Sequence, residues 1–143
     1  MTQLAKKRPE FRNIHAFKDL PSYRWPLAAL VSGMHRISGL ILFLLLPFII
    51  WLFDKSVSSE ISFGSFTAAF ATGIGFVPAW FVKLVVLALI WAYLHHLAAG
   101  VRHLVLDVTH KTTKDFGRHS AAATLVFSIV LTLILGAKLF GLY

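Results

Sequence analysis

The stretch VVLALIWAYLHHLAAGVRHLVLD, Val85–Asp107, decides how the rest of the chain is read. No residue from Leu84 to Val101 is charged, and roughly 20 apolar residues suffice to cross a bilayer core. The second half then breaks the apolar rule with two imidazoles, a guanidinium, a third imidazole and a carboxylate. Such groups are costly at membrane depth and normally face a cavity, a partner or a cofactor. His96, Gly100, His103 and Asp107 are separated by 4, 3 and 4 residues, which at about 100° per residue puts them on one narrow helical stripe. Gly100 leaves a gap there for a flat group lying against the helix, while His95 points about 100° away. A neutral imidazole beside a glycine, aimed into a bundle, is how a helix offers an axial ligand to haem iron. Bonding to a neighbouring helix is the plainer use of the same side chain.

The rest of the chain is of the same kind. Its 143 residues are 57% hydrophobic and 14% charged, where soluble domains carry about 25% charge. Two further runs read as spans. Between Arg24 and Asp54 the only charge is Arg36, and Ser120–Ala137 is uncharged. The expected organisation is an all-α integral membrane bundle of three transmembrane helices: an N-terminal segment 1–25, spans at 26–53, 79–106 and 119–141, an external loop 54–78 and a cytoplasmic loop 107–118. Within the external loop, Ile61–Phe76 is rich in Gly, Ser, Thr and Ala and short for a span, so a loop with an interfacial helix is expected. From Ser120 to Ala137 the third span carries no charged or imidazole group and reads as packing.

Charge sets the orientation. Lys6, Lys7, Arg8, Arg12, Lys18 and Arg24 precede the first span, and Lys111, Lys114 and Arg118 follow the second. With three spans, these lie on one side and Lys55, Lys83 and Lys138 on the other. The positive-inside rule then makes the N-terminus cytoplasmic and the C-terminus periplasmic. Trp25, Trp51, Trp80 and Tyr143 fall at span ends, as interfacial anchors do. The net charge of +8 flanks the spans and forms no nucleic-acid footprint. Met1–Arg24 lacks the apolar core of a cleavable signal. With no cysteine, the chain holds no disulfide, thiolate metal site or iron–sulfur ligand, so any metal must be held by histidine or oxygen.

The first span carries SGMHRISG, Ser32–Gly39. Ser32, His35, Arg36 and Gly39 share one helical face. Arg36 and Arg102 near imidazoles call for an anion, and haem propionates would supply it, because guanidinium pairs bidentately with carboxylates; snorkelling to lipid phosphates is the alternative for both. Ser32 and Arg36, one turn apart with Trp25 at the mouth, suit a quinone head group, whose carbonyl oxygens they would bind as charge develops on reduction.

With these motifs in view, the chain resembles the cytochrome b556 family of succinate dehydrogenase anchors, the larger of two membrane subunits in succinate:quinone oxidoreductase (respiratory complex II). The resemblance covers Arg8–Pro9, S-x-x-H-R-x-S-G at Ser32, His35, Arg36, Ser38 and Gly39, H-x-x-x-G-x-R-H-x-x-x-D at His96, Gly100, Arg102, His103 and Asp107, and a third span. Leu106 and Thr109 depart from it, standing where an aromatic or Met and a smaller residue are usual. The resemblance implies that His96 is the axial ligand this subunit gives to haem b, shared with the second, smaller anchor subunit. It also implies that His35, Arg36 and His103 surround the propionates beside Gly100, and that Ser32, Arg36 and Trp25 help form the ubiquinone site next to the iron–sulfur subunit. Electrons would come from succinate oxidised at the flavoprotein subunit, linking the tricarboxylic acid cycle to the respiratory chain in the bacterial inner membrane. The chain alone would hold no complete active site.

Depth alone leaves an intrachain bis-histidine haem open, because His35 and His96 both lie about ten residues from the cytoplasmic side. Two other functions fit the residues: a haem-free structural anchor, and a small cytochrome b working without a dehydrogenase. A transporter fits poorly, since three spans without an internal repeat offer little to alternate.

Overall fold

The computed structural model describes residues 14–111 and 113–143. Arg8–Pro9 and the basic residues Lys6, Lys7, Arg8 and Arg12 lie outside the described residues. Six helices and one short hairpin follow in order: α1 (Ala16–Ser22), α2 (Leu27–Leu44), α3 (Leu46–Val57), α4 (Glu60–Ala71), β1 (Gly73–Ile74), β2 (Val77–Pro78), α5 (Ala79–Thr109) and α6 (Lys114–Leu139). The fold is all-α, and α2, α5 and α6 are long and apolar enough to cross a membrane.

Local chemistry explains where the elements start and stop. Pro26 and Pro78 precede α2 and α5 in extended conformation, as expected for residues that fix φ and lack a donor. The apolar run 26–53 is divided at Leu45, which leaves helical geometry at φ −93° and ψ 6°. Pro47 explains the break: it has no N–H for the preceding turn, and its ring crowds the carbonyl four residues back. Ser59 and Ser62 form a reciprocal cap at the start of α4, satisfying donors that the first turn would leave unpaired. The hairpin turns on Gly73 (φ 108°) and Gly75 (φ 58°), conformations that side chains resist.

The packing is inverted relative to a water-soluble protein. α5 lies between α2 and α6, and Val31, Ala99 and Ala121 meet in its core with no exposed surface. Ala92, Ser128 and Gly136 also sit at the crossings, and a side chain at Gly136 would meet Leu87 Cδ1 at 2.7 Å. Large residues such as Phe43, Leu44, Leu104 and Leu133 face outward. Small residues inside and large apolar residues outside are what helices need when lipid is the solvent and close backbone approach drives association. Ala99→Leu is expected to overpack this seam by about 1–3 kcal/mol, measured as a lower thermal midpoint of the solubilised protein.

The third long helix does more than pack. Ser128 Oγ meets His95 Nδ1 at 3.3 Å, and Ser120 Oγ accepts from Arg102 Nε at 3.0 Å. A span without charges still presents a polar seam, because hydroxyls can satisfy themselves on their own helix and remain available across it: Ser128 bonds Leu125 O and Ser120 bonds Gly117 O.

Candidate functional site

Three imidazoles form a column between α2 and α5. His96 and His103 come from α5, seven residues apart, and His35 reaches between them from α2. The His35 and His96 rings stack with centroids 4.2 Å apart and planes at 22°, and His35 and His103 lie 5.3 Å apart at 41°. The ring passes close to Gly100: a Cβ there would sit 3.6 Å from His35 Nε2, an ordinary contact distance. The flat group resting against Gly100 is thus the imidazole of His35.

A second glycine matters more to His96. A Cβ at Gly39 would stand 2.8 Å from His96 Cε1 and 3.2 Å from its Nδ1, closer than carbon atoms pack without displacement. With no side chain at Gly39, the ring settles against α2, and its Nδ1 lies 3.1 Å from the backbone oxygen of His35. Ser38 Oγ is 3.4 Å from the same nitrogen, while donating its own proton to His35 O at 2.8 Å. A carbonyl can only accept, so Nδ1 carries the ring proton. Nε2 therefore keeps its lone pair. It has no partner among the described residues and does not number among their buried unsatisfied atoms. Metal-binding histidines are ordinarily held this way, with the second nitrogen donating to a carbonyl that fixes the ring and raises the basicity of the ligand.

No group of three or more His, Cys, Asp or Glu side chains that could hold a bare metal ion occurs among the described residues. A haem asks less of one chain: its porphyrin supplies four nitrogens, leaving a single axial position for this histidine. The donor set fits that demand. His35 Nε2 is the buried side-chain nitrogen without a hydrogen-bond partner, so the polar column is incomplete within this chain. The stacking also bears on a bis-histidine iron within one chain. The stacked His35 and His96 rings present their faces to each other, so their nitrogens do not point at one another.

The remaining candidate residues divide between two faces. Ser32 is half-buried and Arg36 exposed, one turn apart on α2. Trp25 stands at the head of α2 and donates its indole N–H to Leu20 O at 3.1 Å. Asp107 is exposed at the end of the α5 stripe. Among the described residues the one ion pair is Lys55 with Asp54, so none of their carboxylates lies within bonding reach of Arg36.

His95 and Arg102 turn the other way. His95 is fully buried, with Nδ1 near Ser128 Oγ and Nε2 3.5 Å from Val31 O. It ties all three long helices together beside Trp91. Arg102 reaches Ser120 Oγ and, at 3.4 Å, Gly117 O on α6. The expectation that Arg36 and Arg102 share one anion near the imidazoles is corrected here: the rotation of about 100° per residue turns Arg102 away from His103 and onto α6. Sequence reasoning missed the partners of His96, which are Ser38, the His35 carbonyl and Gly39. The signal was present, since His35 and Gly39 lie one turn apart on the face that carries Arg36.

Comparison with known proteins decides what kind of bundle this is. The model for the succinate dehydrogenase/fumarate reductase transmembrane subunit matches residues 6–135. The chain belongs to this family. Its relatives include the succinate dehydrogenase cytochrome b556 subunit of Coxiella burnetii (strain RSA 493 / Nine Mile phase I), 33% identical over 118 residues that cover 82% of this chain and 90% of that protein. The subunit of the same name from Paracoccus denitrificans is 32% identical over 115 residues, 80% of this chain and 83% of its own length. Family membership and three apolar helices together make the chain a multi-pass membrane anchor subunit of an oxidoreductase complex. Both motif-bearing helices, α2 and α5, lie within the matched region.

Proposed function

We propose that this anchor binds haem b through His96 Nε2 and helps form the site where succinate-derived electrons reduce ubiquinone. The observation that carries the reading is the state of His96: Nδ1 is engaged by the His35 carbonyl, Gly39 lets the ring settle against α2, and Nε2 has no partner among the described residues. Haem b, when bound, supplies a one-electron redox centre beside the quinone. His96 would hold the iron through its Nε2, with its Nδ1 bond to the His35 carbonyl fixing the ring. His35, Arg36 and His103 would surround the propionates, with Arg36 offering the planar fork that suits carboxylate and Gly100 lying against the His35 ring. The smaller anchor subunit would supply the other protein ligand to the haem.

Quinone reduction needs donors at the carbonyl oxygens, where negative charge develops, and an apolar wall for the tail. Ser32 and Arg36 supply a hydroxyl and a guanidinium one turn apart, and Trp25 closes the mouth above them. Because the chain has no cysteine, its electrons arrive from an iron–sulfur partner, itself fed by a flavoprotein that oxidises succinate. Arg36 serves both groups, holding the propionate side and aiming a donor at the quinone.

In this reading the protein sits in the bacterial inner membrane with a cytoplasmic N-terminus and a periplasmic C-terminus. The basic residues Lys111, just after α5, and Lys114 and Arg118, in the first turns of α6, support that orientation. Ser32→Ala tests the quinone assignment. Losing one hydrogen bond worth about 0.5–1.5 kcal/mol is expected to raise the KM for quinone roughly two- to tenfold while the haem spectrum of the complex stays unchanged. An unaltered KM and kcat would remove Ser32 from the quinone site.

A further inference from the structure

The guanidinium of Arg102 is left without a counter-ion on the side of α5 away from the imidazole column. It is 8% exposed, and its two bonds go to neutral oxygens, Ser120 Oγ and Gly117 O. Arginine has five N–H donors and cannot shed its charge. No carboxylate of the described residues lies within 4.0 Å, Asp107 and Asp115 included. A charge so placed in a membrane protein calls for an anion.

Beside it lies a cavity of about 220 Å³ lined by Val101, Val105, Phe116 and Ala123, with Arg102 and Ser120 as its polar edge. The cavity is otherwise apolar, which suits a hydrocarbon chain and not a free ion. A second cation stands at the same wall: Lys111 Nζ lies 5.9 Å from the centre of the Phe116 ring. The depth is that of a lipid headgroup. α5 has 31 residues, so it is about 46 Å long at 1.5 Å per residue and overruns a hydrocarbon core of about 30 Å at both ends. Arg102 is seven residues before Thr109, roughly 10 Å from the end of the helix, near the boundary between acyl chains and headgroups.

We propose that the cleft between α5 and α6 binds an anionic phospholipid, whose phosphate bridges Arg102 and Lys111 and one of whose acyl chains lies along Val101, Val105 and Ala123. The site is independent of the haem and quinone assignments, since neither its residues nor its face of α5 is shared with them. It also explains why a guanidinium is kept where Ser120 and Gly117 could bond a neutral group.

The test is native mass spectrometry of the whole complex, stripped of lipid by detergent exchange and titrated with phosphatidylglycerol or phosphatidylcholine. The unaltered complex is expected to retain one phosphatidylglycerol more than Arg102→Gln, with affinity falling roughly tenfold on loss of the charge-assisted bonds. Lys111→Gln is expected to weaken retention by a smaller factor. Ala123→Trp, which fills the acyl groove and leaves both cations, is expected to abolish it. These two variants carry the test if Arg102→Gln fails to assemble. Equal retention in all variants, retention of phosphatidylcholine as strong as that of phosphatidylglycerol, or displacement of the lipid by inorganic phosphate at equal concentration would each overturn the proposal.

Discussion

Complexes carrying His96→Ala are expected to lose their b-type absorption bands, with haem per complex falling by roughly a hundredfold or more. Removing an outer-shell partner already costs about 10- to 100-fold in metal affinity, and here the ligating nitrogen itself is gone. The loss should be specific. His95 is adjacent in sequence and fully buried, yet its nitrogens face Ser128 Oγ and Val31 O, so His95→Ala is expected to retain the spectrum. Its cost is in stability, because deleting a buried ring leaves a cavity between three helices and frees hydrogen bonds worth about 0.6 kcal/mol each in membrane proteins. Pyridine haemochrome assay and a reduced-minus-oxidised spectrum of both variants separate the roles. Unchanged haem content in His96→Ala would remove the ligand assignment.

The second large effect is expected at a residue that makes no chemical contact with haem or quinone. Gly39→Val would place carbon atoms where the His96 ring now lies, 2.8 Å from Cε1 for the first of them alone. Either the ring or α2 must move. Both outcomes break the 3.1 Å contact between His96 Nδ1 and the His35 carbonyl and free the ring to rotate. Haem retention is expected to fall roughly 10- to 100-fold, the usual cost of losing a partner that orients a metal ligand. Gly39→Ala should fall between the two. Gly33, on the same helix with nothing within 4 Å of its added Cβ, is the control, and Gly33→Ala is expected to leave haem content unchanged. Equal haem loss at both glycines would point to a general defect in α2 instead.

These expectations show which parts of the molecule can be read from its sequence. Three apolar helices are legible because each span must keep charge sparse along its own length, a property local to the chain. The stripe of His96, Gly100 and His103 is legible for the same reason, since a helix has a fixed angle per residue. What fills the gap at Gly100 is not, because the His35 ring arrives from a helix some sixty positions away and periodicity within α5 is silent about it. Arg102 illustrates the same limit: its angle from His103 could be computed, but the neighbour it meets depends on how α6 packs. The break at Leu45 was written in Pro47, and average hydropathy hides it because proline lowers the mean little among leucines and phenylalanines. Ser120 and Ser128 escaped notice on the uncharged stretch Ser120–Ala137, where hydroxyls resemble packing residues until a histidine or an arginine is placed opposite them.

The most direct test of the central claim is the difference spectrum of the complex purified through a tag on this chain, reduced with succinate and compared with the air-oxidised form. A flavoprotein and an iron–sulfur protein are expected to co-purify, and succinate is expected to bring up the bands of a single reduced haem b that are reoxidised by added ubiquinone. A succinate-oxidising complex that lacks haem b altogether, or a haem protein that purifies without the dehydrogenase subunits and ignores succinate, would contradict it.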